Sequence, residues 1–210
     1  MKQTHVKWGL IATGEISRQM TADFQLIEHA TVTAVSSRDR ARGTAFAEEF
    51  GITSHYDDYR RLLDSAIDAV YIGTPHATHF AIAKEAIEHG KHVLCEKPIG
   101  LTAAETRELG RVAQLNGVFL MEAMWMKFNP LHVRLLELLR EGCIGDVRSV
   151  HATFGIPFPR DNSSRWKAEM GGSALLDQGI YPVTLAHMVL VVLCYLCVSA
   201  VNRGVFLLIL

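Results

Sequence analysis

The residues 9–17, Gly-Leu-Ile-Ala12-Thr13-Gly14-Glu15-Ile16-Ser17, follow an apolar run and lead into a helical pattern. A turn that holds a dinucleotide needs small residues for the bend, for backbone approach to the pyrophosphate and for helix–strand packing. Ala12, Gly14 and Ser17 stand at those positions, and only the middle one is glycine. The spelling alone is compatible with a plain tight turn. Its place, between a first strand and a first helix, is where backbone amides and the helix dipole favour a phosphate. About 20 residues further on, an NAD site usually has an Asp or Glu for the ribose hydroxyls. This chain has Ser36-Ser37-Arg38 there, and Asp39 one place later. Ser37 and Arg38 offer a hydroxyl and a guanidinium, which suit a 2′-phosphate, so NADP(H) is favoured over NAD(H). Arg38 could equally be a solvent-facing residue, and Asp39 could point back. A third segment, Cys95-Glu96-Lys97-Pro98, ends another apolar run. A lysine at the carboxyl end of a parallel strand faces the ligand crevice of such sheets, and Pro98 can hold an unusual backbone there, a cis bond included. Taken alone, Lys-Pro after a strand is also an ordinary solvated turn.

These segments need a scaffold, and the pattern supplies one. Strand-length runs at 5–12, 31–36, 69–73, 92–95 and 118–121 alternate with helical patterns at 15–28, 40–50, 57–65, 77–89 and 102–116. That alternation predicts βαβ crossovers: an α/β fold with a Rossmann-type, doubly wound parallel sheet over residues 1–122. Beyond it, 130–141 reads as an amphipathic helix stopped by Gly142, and 146–154 alternates with the period of a half-buried antiparallel strand. Gly171-Gly172-Ser173 reads as a turn and N-cap for a helix from Ala174. Residues 123–190 thus predict the start of an incomplete α+β domain with an antiparallel sheet.

With 21 Lys+Arg against 22 Asp+Glu, the net charge of −1 excludes the basic footprint of a nucleic-acid binder. Four scattered cysteines predict a reduced, cytoplasmic setting rather than a disulfide framework. The polar start predicts no secretory leader. His76/His79 and His89/His92 have ligand-like spacing, but no acidic or cysteine partner joins them, so no metal is expected. Cys194-Tyr-Leu-Cys197 lies in an apolar run without redox context.

Glu96-Lys97-Pro98 preceded by Gly73-Thr74-Pro75-His76-Ala77-Thr78-His79 strongly resembles the Gfo/Idh/MocA oxidoreductase family. The segments 119–125 (FLMEAMW) and 171–181 (GGSALLDQGIY) are similar to its dihydrodiol dehydrogenase branch, which is itself similar to NADP-dependent D-xylose dehydrogenases. The resemblance covers about residues 5–190. It implies a Rossmann domain followed by a domain with a large open antiparallel sheet, and hydride transfer between NADP and a secondary alcohol, cyclic diol or aldose. It places Thr74, Pro75, His76 and His79 beside the cofactor, with Glu96 and Lys97 near the nicotinamide ribose. Many relatives carry Asp-x-x-x-His at the substrate site, where this chain has Asp177-Gln-Gly-Ile-Tyr181. On a helix, Asp177 and Tyr181 share a face. Tyr181 then fits proton transfer, since a lysine cation nearby favours an ionised phenol, with Asp177 orienting substrate. Without Lys97 and the family pattern, Tyr181 reads as a core aromatic. Trp125 and Phe154 are candidates for an apolar wall against a ring-shaped substrate, or ordinary core.

The family is commonly homodimeric through its antiparallel sheet, which this chain is expected to lack. Residues 191–210 depart from the family continuation and read as an atypical hydrophobic tail. The alternative to a small-molecule dehydrogenase is therefore a nucleotide-binding, catalytically inactive truncated fragment.

Overall fold

The computed structural model describes residues 5–198, with side chains described up to residue 190. The expected tail, 191–210, and the thiols of Cys194 and Cys197 lie outside the described side chains. The chain falls into two compact units, Met1–Ala123 with Glu169–Gly171, and Met124–Ala168 with Gly172–Leu210.

The first unit is a six-stranded sheet flanked by helices. Its strands are β1 (Val6–Ile11), β2 (Ala30–Ser36), β3 (Ser54–Tyr56), β4 (Ala69–Ile72), β5 (His92–Cys95) and β6 (Leu120–Glu122). Every pairing is parallel, and the order is β3-β2-β1-β4-β5-β6. This is the doubly wound order whose crevice opens beyond the carboxyl ends of the strands, at the reversal between β1 and β4. The helices are α1 (Glu15–Phe24), α2 (Arg40–Phe50), α3 (Tyr59–Leu63), α4 (His79–Glu88) and α5 (Ala103–Asn116), with a 3₁₀ turn, His76–Thr78, leading into α4. All four residues of β4 are buried, because a central parallel strand is covered on both faces. Alternation sends Val70 and Ile72 to one core with Leu62, Ile82, Ile87 and Leu109, while Tyr71 joins Leu10, Val35 and Phe46 in the other.

Local chemistry sets the helix ends. Asp39 caps α2 and Thr102 caps α5, and Gly51 and Gly117 close them with left-handed backbone at φ 67° and 65°. The periodicity predicts α1 to residue 28, but the helix stops at Phe24 and two tight turns follow, because pairing with β1 begins at Ala30. β3 has no apolar signal, being Ser-His-Tyr; the pairing of Ala34 with Ser54 makes it a strand.

In the second unit, α6 (Pro130–Arg140) is capped by Asn129, which accepts from the Leu131 amide at 2.9 Å, and it ends before Gly142 at φ 76°. The Ser173 hydroxyl accepts from Leu175 and Leu176 amides, as expected of an N-cap. The segment that follows is a π-helical turn, Leu175–Gly179, before α7 (Ile180–Val198). One expectation is corrected. Residues 146–154 form no strand, although their alternation suits one. A strand persists only where its backbone groups find ladder partners, and among the described residues none pairs with this segment, which is largely exposed. No helix among the described residues is long and apolar enough to cross a membrane.

Candidate functional site

At the carboxyl end of β1 the chain bends through Ala12 with φ 97°, a left-handed backbone that a non-glycine residue adopts only with strain. The bend is pinned by the Ala12 amide on the Ser36 carbonyl at 3.0 Å, and Thr13 donates its hydroxyl to Ser37 at 3.3 Å. The turn after β1 and the end of β2, singled out separately in the sequence, therefore meet. Gly14 is the N-cap of α1 and supplies no side-chain acceptor, so the first-turn amides, those of Glu15 and Ile16 among them, keep their donors. A Cβ on Gly14 would meet nothing within 4 Å, which leaves open space over that helix end. Ser17 is fully buried, and a Cβ on Gly73 would come within 2.5 Å of its hydroxyl. The close helix–strand approach that a third glycine usually permits is thus met by Ser17 opposite Gly73. These features fit a dinucleotide pyrophosphate.

Asp39 spends its carboxylate on the Arg42 amide at 3.1 Å, closing α2 rather than reaching back toward the ribose position. Arg38 remains exposed beside the buried Ser37.

The loop after β4 carries Thr74, Pro75 and His76. Thr78 donates to the Thr74 hydroxyl and to the Pro75 carbonyl, and His76 Nδ1 lies 3.2 Å from the Gly171 carbonyl. His79 departs from its expected place. It has no exposed surface, and its Nδ1 and Nε2 lie 2.8 and 2.7 Å from the carbonyls of Pro98 and Thr74. It ties two loops from beneath instead of facing a ligand. Two carbonyls ask for two ring protons, whereas enclosure, aided by His76 and Lys97, pushes the ring's pKa down. With the ring wholly enclosed, burial prevails and the neutral imidazole serves one carbonyl as donor at a time.

Lys97 and Pro98 are joined by a cis peptide bond at the end of β5. Glu96 accepts from the Tyr71 hydroxyl at 2.8 Å and, at 3.3 Å, from the Lys97 amide. Burial raises the Glu96 pKa, opposed by the Tyr71 hydrogen bond and by Lys97, and Glu122 pushes it up further. Burial likewise drives the Tyr71 hydroxyl far up. The fully buried Tyr71 was not singled out by sequence, since a tyrosine inside an apolar run reads as core.

In the second unit Tyr181 sits among aromatic rings. Trp125 donates its indole N–H to the Tyr181 hydroxyl at 3.4 Å with ring centres 6.0 Å apart, and the Phe154 ring lies 5.0 Å away. Trp125 and Phe154 are 54% and 41% exposed, so neither is a core residue. Asp177 is buried and faces Arg165 at 3.1 Å, whose guanidinium also lies over the Phe158 ring. Arg165 belongs to an irregular polar loop without periodicity, so nothing in the sequence marked it.

Comparison with known proteins gives the same picture. The profile described as "Oxidoreductase family, NAD-binding Rossmann fold" (Gfo/Idh/MocA) matches residues 6–124, and the profile of that family's C-terminal domain matches 132–195. The chain is 41% identical over 191 residues to trans-1,2-dihydrobenzene-1,2-diol dehydrogenase of Homo sapiens, covering 88% of this chain and 56% of that enzyme. It thus spans about half the length of the curated relatives it matches. Among solved structures, a 3-ketoreductase from Actinomadura kijaniata in complex with NADP and TDP-benzene superposes with TM-score 0.85 at 34% identity, over 89% of this chain and 58% of the other. Variants of the same ketoreductase with a tyrosine changed to phenylalanine, and with a lysine changed to alanine, also match. An aldose–aldose oxidoreductase from Caulobacter crescentus, complexed with glycerol, superposes with TM-score 0.82 at 26% identity, over 88% and 57%.

Proposed function

Since the chain belongs to the Gfo/Idh/MocA oxidoreductase family, we propose that it serves hydride transfer between NADP(H) and a secondary alcohol, cyclic diol or aldose. The observation that carries the cofactor half is the joined turn: the uncapped end of α1 beside Ser37 and Arg38, with the one nearby acid, Asp39, committed to α2. Residues 12–16 would hold the pyrophosphate, Ser37 and Arg38 the 2′-phosphate, and Thr74, Pro75, His76, Glu96 and Lys97 the nicotinamide end. The bound nicotinamide supplies the hydride acceptor or donor.

The chain's own residues do the rest. Tyr181 carries the proton of the reacting hydroxyl, and Lys97 serves the nicotinamide end. Asp177 orients the substrate, while Trp125 and Phe154 give a ring-shaped molecule an apolar wall. The exposed aromatic pair beside the Tyr181 hydroxyl supports that assignment. In this reading residues 1–122 are the cofactor domain and 123–190 belong to the substrate domain. A cytoplasmic setting goes with it.

The test is a fluorescence titration of the chain with NADPH and NADH. A lost charge-assisted contact costs about 1.5–3 kcal/mol, so Arg38→Ala should weaken NADPH roughly 10- to 150-fold and leave NADH nearly unchanged. Equal losses for both cofactors would overturn the NADP assignment. Oxidation of alcohols, diols and aldoses by the unmutated chain then tests the reaction itself.

A further inference from the structure

The peptide group that joins Pro98 to Ile99 meets side chains from two other elements, one at each end. Its carbonyl, that of Pro98, lies 2.8 Å from His79 Nδ1 on α4. Its N–H, that of Ile99, donates to Glu122 Oε1 on β6 at 2.9 Å. Pro98 and Ile99 are both buried, so this amide has no water to fall back on, and an acceptor is obligatory. The proline ring fixes φ of Pro98. Clamping the following peptide plane fixes ψ as well, so the chain immediately after Lys97 has no soft torsion left. Glu122 is itself set in register, because β6 pairs Glu122 with Cys95 and the Ala123 amide donates to the Cys95 carbonyl at 2.7 Å. The next grip along the chain, Glu105 Oε2 on the Leu101 amide at 2.7 Å, belongs to the start of α5 and fixes the far side of the loop.

We propose that Glu122 is a positioning residue for Lys97: by holding the Ile99 N–H it fixes the Pro98–Ile99 peptide plane, with His79 packed at the Pro98 carbonyl, and so sets the direction in which the lysine leaves β5. The inference rests on the reading of Lys97 as part of an NADP-dependent site. It assigns a geometric duty to the reach of Glu122 to the Ile99 amide, apart from any part its charge plays.

Two conservative variants separate those properties without opening a large cavity. Glu122→Gln keeps the reach and an acceptor oxygen but loses the charge. Glu122→Asp keeps the charge and is one methylene too short for the Ile99 amide. A misplacement of about 1 Å can cost on the order of a hundredfold in rate. The Asp variant should therefore lose roughly 10- to 100-fold in kcat, with Kd for NADPH changed less than about threefold, because the phosphate contacts lie elsewhere. Amide exchange followed by NMR should be at least about tenfold faster at Ile99 in the Asp variant and close to unmutated in the Gln variant. The opposite order, or unchanged Ile99 exchange in the Asp variant, would overturn the proposal. If the unmutated chain binds NADPH but turns over no alcohol, the functional reading fails while the exchange comparison still decides whether Glu122 is the clamp.

Discussion

Glu96 shows how a single side chain couples the fold to the site. Its carboxyl lies beside the buried Tyr71 hydroxyl, and burial above all, then Glu122, holds its pKa above the ordinary carboxylate range. A carboxyl whose folded pKa is raised binds its proton more tightly in the native state. Its stabilising contribution is full below the unfolded value of about 4.3 and is lost as pH rises through the folded pKa. At neutral pH that raised pKa makes the carboxylate a net cost to stability. Glu96→Gln, which removes that charge, should raise Tm at pH 7 by about 2–4 °C for each kcal/mol relieved, and the two melting curves should converge near pH 4. Thermal unfolding followed by circular dichroism between pH 4 and 8 measures this. A lower Tm for the variant at pH 7 would mean that the carboxylate is a net stabiliser.

Among the elements, α2 decides an ambiguity that the sequence leaves open. Asp39 can cap a helix or reach toward a ribose, and the structure gives its carboxylate to the Arg42 amide. Capping closes one of the orphan donors at the helix start, and its loss costs about 0.5–2 kcal/mol. Asp39→Ala should therefore lower Tm by about 2–4 °C per kcal/mol lost, while NADPH and NADH affinities change less than about twofold. A selective loss of NADH binding would instead give the acid to the ribose. The same helix packs its Gly43 against His55 of β3, where a Cβ would meet the ring at 2.4 Å or less. That contact explains why a short polar strand can sit at the edge of the sheet.

On the scale of the whole molecule, the proposal names one residue in each compact unit, Lys97 in the first and Tyr181 in the second. If the two serve one proton transfer, each single change removes the same function. Lys97→Met and Tyr181→Phe should then each lower kcat, and the double variant should be hardly slower than the slower single one, because residues that act as a unit are non-additive. Steady-state rates that fall multiplicatively would show independent roles. The measurement also bears on the alternative of nucleotide binding without turnover.

The parallel sheet was legible in the residues themselves. Runs such as Ala69–Ile72 are apolar at every position because both faces are covered. Gly14 and Ser37 became candidates by type and spacing, whereas Lys97 and Tyr181 became candidates only through the family resemblance. What only tertiary structure decided were matters of partnership. The alternating segment 146–154 satisfies the strand pattern and still forms none, since hydrogen bonding between strands needs a neighbour that no local pattern encodes. β3, without an apolar signal, becomes a strand because β2 offers it an edge. His79 looked like a ligand-facing histidine and proved to be enclosed between two carbonyls that lie 5 and 19 residues from it. Glu122 and Tyr71 gained their meaning in the same way. A buried polar group must find its complement wherever the fold delivers one, and that complement is a property of the packed chain rather than of the residues on either side.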